Sequence, residues 1–318
     1  MSIALTSDSL VESIKRRASI PENQSTFSKQ DFLDFANEEL QLGVVPAIMS
    51  LHEDYLLFEE DKPLESNESE YEIPSRAMGN KLRDVQFKID AKNFIEMTRI
   101  GIGERFSEFD VRTETNLKKY YVKNNKIVLV PPVGPNPSTS QAITMVFYIR
   151  PSKLVLEERI GVITGINRTS GEITFSTIPD HFNTNIQYDF YKAGSPHTIL
   201  NIDKTVTNVN STTNSITFAV DDIPKNLQVG DHIGQAGECI IPQIPSELHV
   251  MLTQMVACRV LESIGDTQGL QNALVKLKQM EEAAGMIIDN RVDDAPQKAV
   301  NRHGLVRTSI FSKRFNRR

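Results

Sequence analysis

Residues Thr26–Tyr55 read TFSKQDFLDFANEELQLGVVPAIMSLHEDY. Ser28 and Asp31 stand at the spacing of a capping box, where the hydroxyl accepts from an early backbone N–H and the carboxylate reaches back to the cap. Phe32, Ala36, Leu40, Val44, Ile48, Leu51 and Tyr55 then recur at steps of three and four, the period of one helix face. Leu33, Leu42, Val45, Met49 and Leu56 make a second, displaced stripe. One apolar stripe belongs to an ordinary surface helix; two stripes call for burial on two sides. Gly43 and Pro46 predict a kink or break near Gly43, because proline lacks the ladder N–H and its ring crowds the preceding turn. The surplus apolar surface makes Phe32, Leu40, Val44, Val45, Ile48 and Met49 the candidate contacts between copies of the chain.

Before this helix, Ser9–Ala18 predicts a short helix that ends before Pro21. After it, Glu59–Glu72 carries seven carboxylates against one lysine, and the helical period stops. From Ile73 to Pro242 the pattern is mainly strand. KYYVKNNKIVLVPP predicts a hairpin turning at Asn124-Asn125, and AITMVFYIRP a further strand. An internal repeat follows: VITGINRTSGEITF at Val162–Phe175 matches TVTNVNSTTNSITF at Thr205–Phe218 at a spacing of 43. Each copy alternates β-branched residues around a polar turn, and two copies can close into a small barrel or sandwich. Helical texture returns at Pro245, with Ser246 as cap, and GDTQG splits it into a helical hairpin.

These signals predict an α+β fold. The expected organisation is a helical bundle built from both termini (residues 1–58 and 243–290), an inserted β-rich domain (59–242, with the repeat at 162–200 and 205–242), and an extended basic tail (291–318).

The chain has 318 residues and 39% hydrophobic content, enough for a large core. Its apolar runs are broken by charge, so neither a membrane span nor a signal peptide is expected. Cys239 and Cys258 stand 19 apart without a CxxC pair, which reads as two free thiols made in a reducing compartment. The net charge of −6 is uneven: Ala295–Arg318 holds seven basic residues and no acidic ones, leaving about −13 on the rest. So acidic a body is poorly suited to coating nucleic acid.

Catalytic fingerprints do not emerge. RIGIGERF has Gly101 and Gly103 but no third glycine, and there is no Walker loop, GxSxG or HxxxH pair. The six histidines are scattered. A two-carboxylate glycosidase would usually offer aromatic sugar platforms, and the chain has no tryptophan. No enzyme activity, cofactor or metal is therefore expected. The tail Asn301–Arg318 mixes five arginines and one lysine with Phe311 and Phe315. It reads as a docking strap, a solubilising end or a nucleic-acid arm; aromatic anchors flanked by arginines favour the strap.

Several segments carry a resemblance to a known group. LVESIKRRASIPENQSTFSKQDFLDFANEELQLGVVPAIMSLHEDYLL, IPSRAMGNKLRDV, YVKNNKIVLVPP and QIPSELHVMLTQMVACRVLESIGDTQGLQNALVKLKQMEEAAGMIIDNRVDDAPQKAVN resemble head–tail connector (adaptor) proteins of tailed bacteriophages, including ring proteins of short-tailed and crAss-like phages. The resemblance implies a virion protein at the neck, assembled in the host cytoplasm. It implies a ring, usually of twelve copies, beneath the portal protein and above a downstream tail or neck ring. DNA would pass through the channel without specific binding. The portal contacts would fall on Arg302, Arg307, Phe311, Lys313, Arg314 and Phe315. The strand-rich insertion departs from minimal adaptors. A tail-associated carbohydrate-binding or glycan-cleaving protein is the alternative.

Overall fold

The capping box at Ser28 starts its helix in the computed structural model, which describes residues 5–21, 26–51, 53–90, 92–104, 119–194 and 197–288. The Asp31 N–H donates to Ser28 Oγ at 3.2 Å, and the Ser28 N–H donates to the Asp31 carboxylate at 2.7 Å. Helix α1 covers Ser7–Arg17, and α2 covers Lys29–Glu39. A π-helical turn at Leu40–Val44 joins α2 to α3, Val45–Leu51. Pro46 accounts for the wider turn: without an N–H it leaves the carbonyl four residues earlier, on Leu42, without its ladder donor. Near the C-terminal end come α4 (His249–Ile264) and α5 (Thr267–Ile288). Gly265 ends α4 in the left-handed region at φ 82°, where a side chain would be strained. The Asp266 carboxylate then accepts from the Gly269 N–H at 2.9 Å and caps α5. Ser246 does not cap α4; it lies in the short 3₁₀ turn Ser246–Leu248 ahead of it.

The helical-bundle frame expected from the sequence is overturned. Counting α2 and α3 as one bent helix, the described residues hold four helices against sixteen strands, and the fold is mixed α/β. The helices form one layer around α4. That helix buries Met251, Leu252, Val256, Ala257, Val260 and Leu261, and so is apolar on most sides. Leu154 and Ile244, from segments flanking the barrel described below, complete the same core. The helical layer is therefore finished by β-region side chains and is not a separate bundle. A half-buried polar bridge ties three of its helices: Arg17 donates to Gln254 at 2.8 Å, and Gln254 donates to the Ala273 carbonyl at 3.1 Å.

Two four-stranded sheets follow the first helices. One has the order β1-β8-β3-β4, with β1 at Leu57–Pro63, β3 at Ala77–Lys88, β4 at Phe94–Glu96 and β8 at Ala142–Ile149. The other has the order β2-β7-β6-β5, with β2 at Glu70–Glu72, β5 at Thr98–Arg99, β6 at Lys119–Lys123 and β7 at Lys126–Val130. Asn124 and Asn125 turn the β6–β7 hairpin at φ 48° and 61°, the pair of positive φ values that a tight two-residue turn needs. Tyr71, Ile127 and Leu129 of the second sheet share a core with Val85, Ile143, Met145 and Phe147 of the first. Strand β8 is buried along its whole length, Thr144 included, and its sequence is accordingly apolar on both faces apart from that residue.

The repeat forms a closed six-stranded barrel of order β10-β11-β14-β13-β12-β15. Its strands are Gly161–Asn167 (β10), Glu172–Phe175 (β11), Gln187–Tyr191 (β12), Ile199–Asn210 (β13), Ser215–Phe218 (β14) and His232–Gln235 (β15). Where the two halves meet, Ile173 faces Ile216 and Phe190 faces Ile233. Both pairs join equivalent positions of the repeat, so a pseudo-twofold axis runs through the barrel. The β-bulges between Ile163 and Gly165 and between Val206 and Asn208 are also equivalent. Asn167 accepts from the N–H groups of Thr169 and Ser170, just as Asn210 accepts from those of Thr212 and Thr213. Gly171 sits at φ +75° with Phe218 O 2.2 Å from where a Cβ would be, so only glycine fits that crossing. The chain enters the barrel through β9 (Lys153–Leu154) and leaves through β16 (Glu238–Cys239), and these two strands pair in parallel.

Candidate functional site

Three joints fix how the parts meet. Asp189, on β12, is fully buried. Its carboxylate accepts from Arg76 at 2.6 Å, from the N–H groups of Asp203 and Gly237 at 2.8 Å each, and from the Tyr191 hydroxyl at 3.2 Å. Arg76 also donates to Ser152 at 2.8 Å. One carboxylate thus holds the β2–β3 connection, the segment after β8 and the barrel together, with its oxygens satisfied as a buried charge demands. At the second joint, the Asn37 side chain of α2 accepts from Leu154 N–H at 2.7 Å and donates to Leu154 O at 3.1 Å, which seats the helical layer on β9.

The third joint is His249, buried at the start of α4. Its Nδ1 accepts from the Leu5 N–H at 3.1 Å, and Nε2 lies 3.2 and 3.3 Å from the carbonyls of Pro242 and Ile244. That arrangement specifies the neutral tautomer with the proton on Nε2. Burial, reinforced by His197 with its ring centroid 5.6 Å away, pushes His249 down to about 4.

These joints carry load but offer no reacting centre. Among the described residues no group of three or more His, Cys, Asp or Glu is placed to hold a metal ion. Both cysteines are free and buried, and burial pushes the Cys239 thiol up to about 12, so it stays a protonated, inert thiol. No helix of the described residues is long and apolar enough to cross a membrane.

The open feature lies on the helical layer. A groove of about 170 Å³ has Leu248, Met251 and Met255 on its floor, with Gly43, Ala47 and Ile48 on one side and Glu281, Ala284 and Gly285 on the other. Two glycines make it. At Gly43 a Cβ would stand 2.4 Å from Met255 Cε, so α4 can approach the π-helical turn closely; at Gly285 a Cβ would meet nothing within 4 Å. The rim is acidic. Glu39 lies against Gly43, and burial raises its carboxyl, with Glu38 and Glu262 adding repulsion that Arg259 partly offsets. Beside the groove, α5 packs on the layer through Leu270, Ala273, Leu277, Met280 and Ala284. Its other side leaves Leu274 and Val275 at 47% and 64% exposure.

The residues expected at a subunit interface sit elsewhere. Phe32, Leu40, Val44, Val45 and Ile48 are at most 1% exposed within the single chain, and Met49 is half-buried against the same core. The second stripe is also covered, apart from Leu42 at 78% exposure. The assignment of these six residues to contacts between copies is therefore corrected: α4 and the β9 segment cover both stripes. Among the described residues of the helical layer, Leu42, Val250, Ile264, Leu274 and Val275 are the large apolar residues left outside. Arg302, Arg307, Phe311, Lys313, Arg314 and Phe315 lie outside the described residues. In comparisons with known proteins, no family model and no curated sequence matches this chain.

Proposed function

We propose that the chain is a structural subunit of a tailed-phage virion, a connector that assembles as a ring beneath the portal and links capsid to tail. The observation that carries this reading is the uncovered side of the helical layer: Leu274 and Val275 exposed on α5 next to an acid-rimmed apolar groove. A head-to-tail ring needs two different adhesive faces on each subunit. In this reading the outer side of α5 supplies one, and the basic, aromatic C-terminal segment reaches the portal. The acidic body, about −13 without residues 295–318, suits a channel through which DNA slides without condensing on the wall. The barrel, closed on itself, serves as a rigid spacer to the next ring, and twelve copies is the expected number from the resemblance.

The test is sedimentation and electron microscopy of the full chain, alone and with the portal protein of the same virion. A closed ring is expected, and Leu274→Asp with Val275→Asp should reduce it to monomers that keep the same circular dichroism. A chain that stays monomeric at every concentration and does not bind the portal would overturn the reading.

A further inference from the structure

We infer that the groove between α3 and the end of α5 is the resting site of the chain's own C-terminal segment, with Phe311 or Phe315 seated on Met251 and Met255. The inference concerns the free chain and does not depend on the connector reading.

Size comes first. An apolar cavity of roughly 150 Å³ is enough to bind a benzene ring, and the groove offers about 170 Å³. It has room for one aromatic side chain but not for a helix, which is about 10 Å across. The floor is chemically apt, since methionine sulfur and methyl groups pack well on aromatic rings.

Charge comes second. The groove's rim carries Glu281, and Glu39 already paired with Arg259 at 3.4 Å, while residues 295–318 contain seven basic residues and no acidic ones. Phe311 is followed by Lys313 and Arg314, and Phe315 by Arg317 and Arg318. A ring inserted on the methionines would bring an arginine or lysine to a rim carboxylate, the pairing that suits guanidinium and carboxylate geometry.

Connectivity comes third, and it selects the occupant. Ala284 and Gly285 form the groove's wall, and α5 ends only three residues later at Ile288, so the segment that follows starts at the groove's mouth. Twenty-two residues lie between Ile288 and Phe311. A chain of that length has a random-coil span of about 26 Å, more than enough to double back across a helix pair. Tethering gives the segment an effective concentration on the order of millimolar, which a second copy cannot match in dilute solution.

The experiment is methyl NMR on the full chain with ¹³C-labelled methionines. Phe311→Ala with Phe315→Ala should shift the Met251 and Met255 methyl signals by removing the ring current, while Met145, buried in the sheet core, stays fixed. Gly285→Glu, whose side chain has open space, should shift the same two signals. Combined with the phenylalanine changes it should add little, because the groove would already be vacated. Single phenylalanine variants then name the anchoring ring. If the double variant leaves both groove signals in place, the segment does not sit there and the inference fails. If the shifts fade on dilution of the unaltered chain, the occupant is a second copy's segment, which also overturns it. Unchanged far-ultraviolet circular dichroism and an unmoved Met145 signal separate loss of a docked ring from a fold defect.

Discussion

The barrel and the helical layer solve the same problem with opposite outcomes. In the barrel every strand of the repeat has two partners, the equivalent residues Ile173 and Ile216 face each other across the seam, and no hydrogen-bonding edge is left over. In the helical layer α4 is covered nearly all round, yet α5 keeps only its inner stripe against the layer and shows Leu274 and Val275 to solvent. Closure removes the sites where another chain could add on, whereas an open helical side keeps them. The difference is one of closure: the barrel completes its own hydrogen bonding, and the helical layer leaves one side of its last helix uncovered. Asn37 and His249 tie the helical layer to the segments flanking the barrel, and Asp189 ties the barrel to the first sheet.

Breaking the coupling at Asp189 has the largest expected effect. Asp189→Ala leaves Arg76 in a mostly buried site without its carboxylate and frees the N–H groups of Asp203 and Gly237. Removing one partner of a buried ion pair costs about 3–5 kcal/mol. Urea unfolding should show the loss as a lower midpoint, and a change under about 1 kcal/mol would mean that the barrel and the first sheet hold together without this charge.

His249 gives a somewhat smaller effect that can be dialled by pH. An unfolded histidine takes up a proton near pH 6.5, whereas folded His249 does so only near about 4. Between those values the unfolded chain binds more protons, so falling pH favours unfolding. The contribution is complete above pH 6.5 and is lost as pH drops toward 4. The interval corresponds to about 3 kcal/mol. His197 and His232 are lowered by burial too and act in the same direction. The His249→Gln variant, compared with the unaltered chain from pH 7 to 4.5, should be less stable at pH 7 but show a shallower decline. Parallel declines would show that this histidine is not responsible.

What was legible in the sequence follows the range of the forces involved. Ser28 with Asp31, Gly43 with Pro46, and the Asn124-Asn125 turn act within a few residues, and each left a local signature. The repeat was legible because duplicated alternation and duplicated asparagine turns survive as text. Coverage was not legible. Two apolar stripes on one helix state how much surface must be buried but not by what, and Leu154 and Ile244 enter that core from outside any helical signal. The joints were hidden for the same reason, since Arg76 and Asp189 lie 113 residues apart and Asn37 and Leu154 lie 117 apart. The groove was hidden differently: Gly285 leaves open space where a side chain would stand, and at Gly43 the Met255 methyl takes that place.

Asn37→Ala has the smallest expected effect and tests the comparison most directly. The side chain spans the seam between α2 and β9, and its loss strips a partner from both the N–H and the carbonyl of Leu154. Leaving such buried groups unpaired costs about 2 kcal/mol. Unlike the loss at Asp189, the cost falls on the seam between α2 and β9, because the barrel's ladders do not involve α2. Hydrogen exchange should therefore quicken in α1–α3 while the protection of β11 and β14 stays as it was, a local opening rather than a global one. Equal acceleration in helices and barrel would show one cooperative unit, and the division of labour between closed barrel and open layer would then have no energetic counterpart.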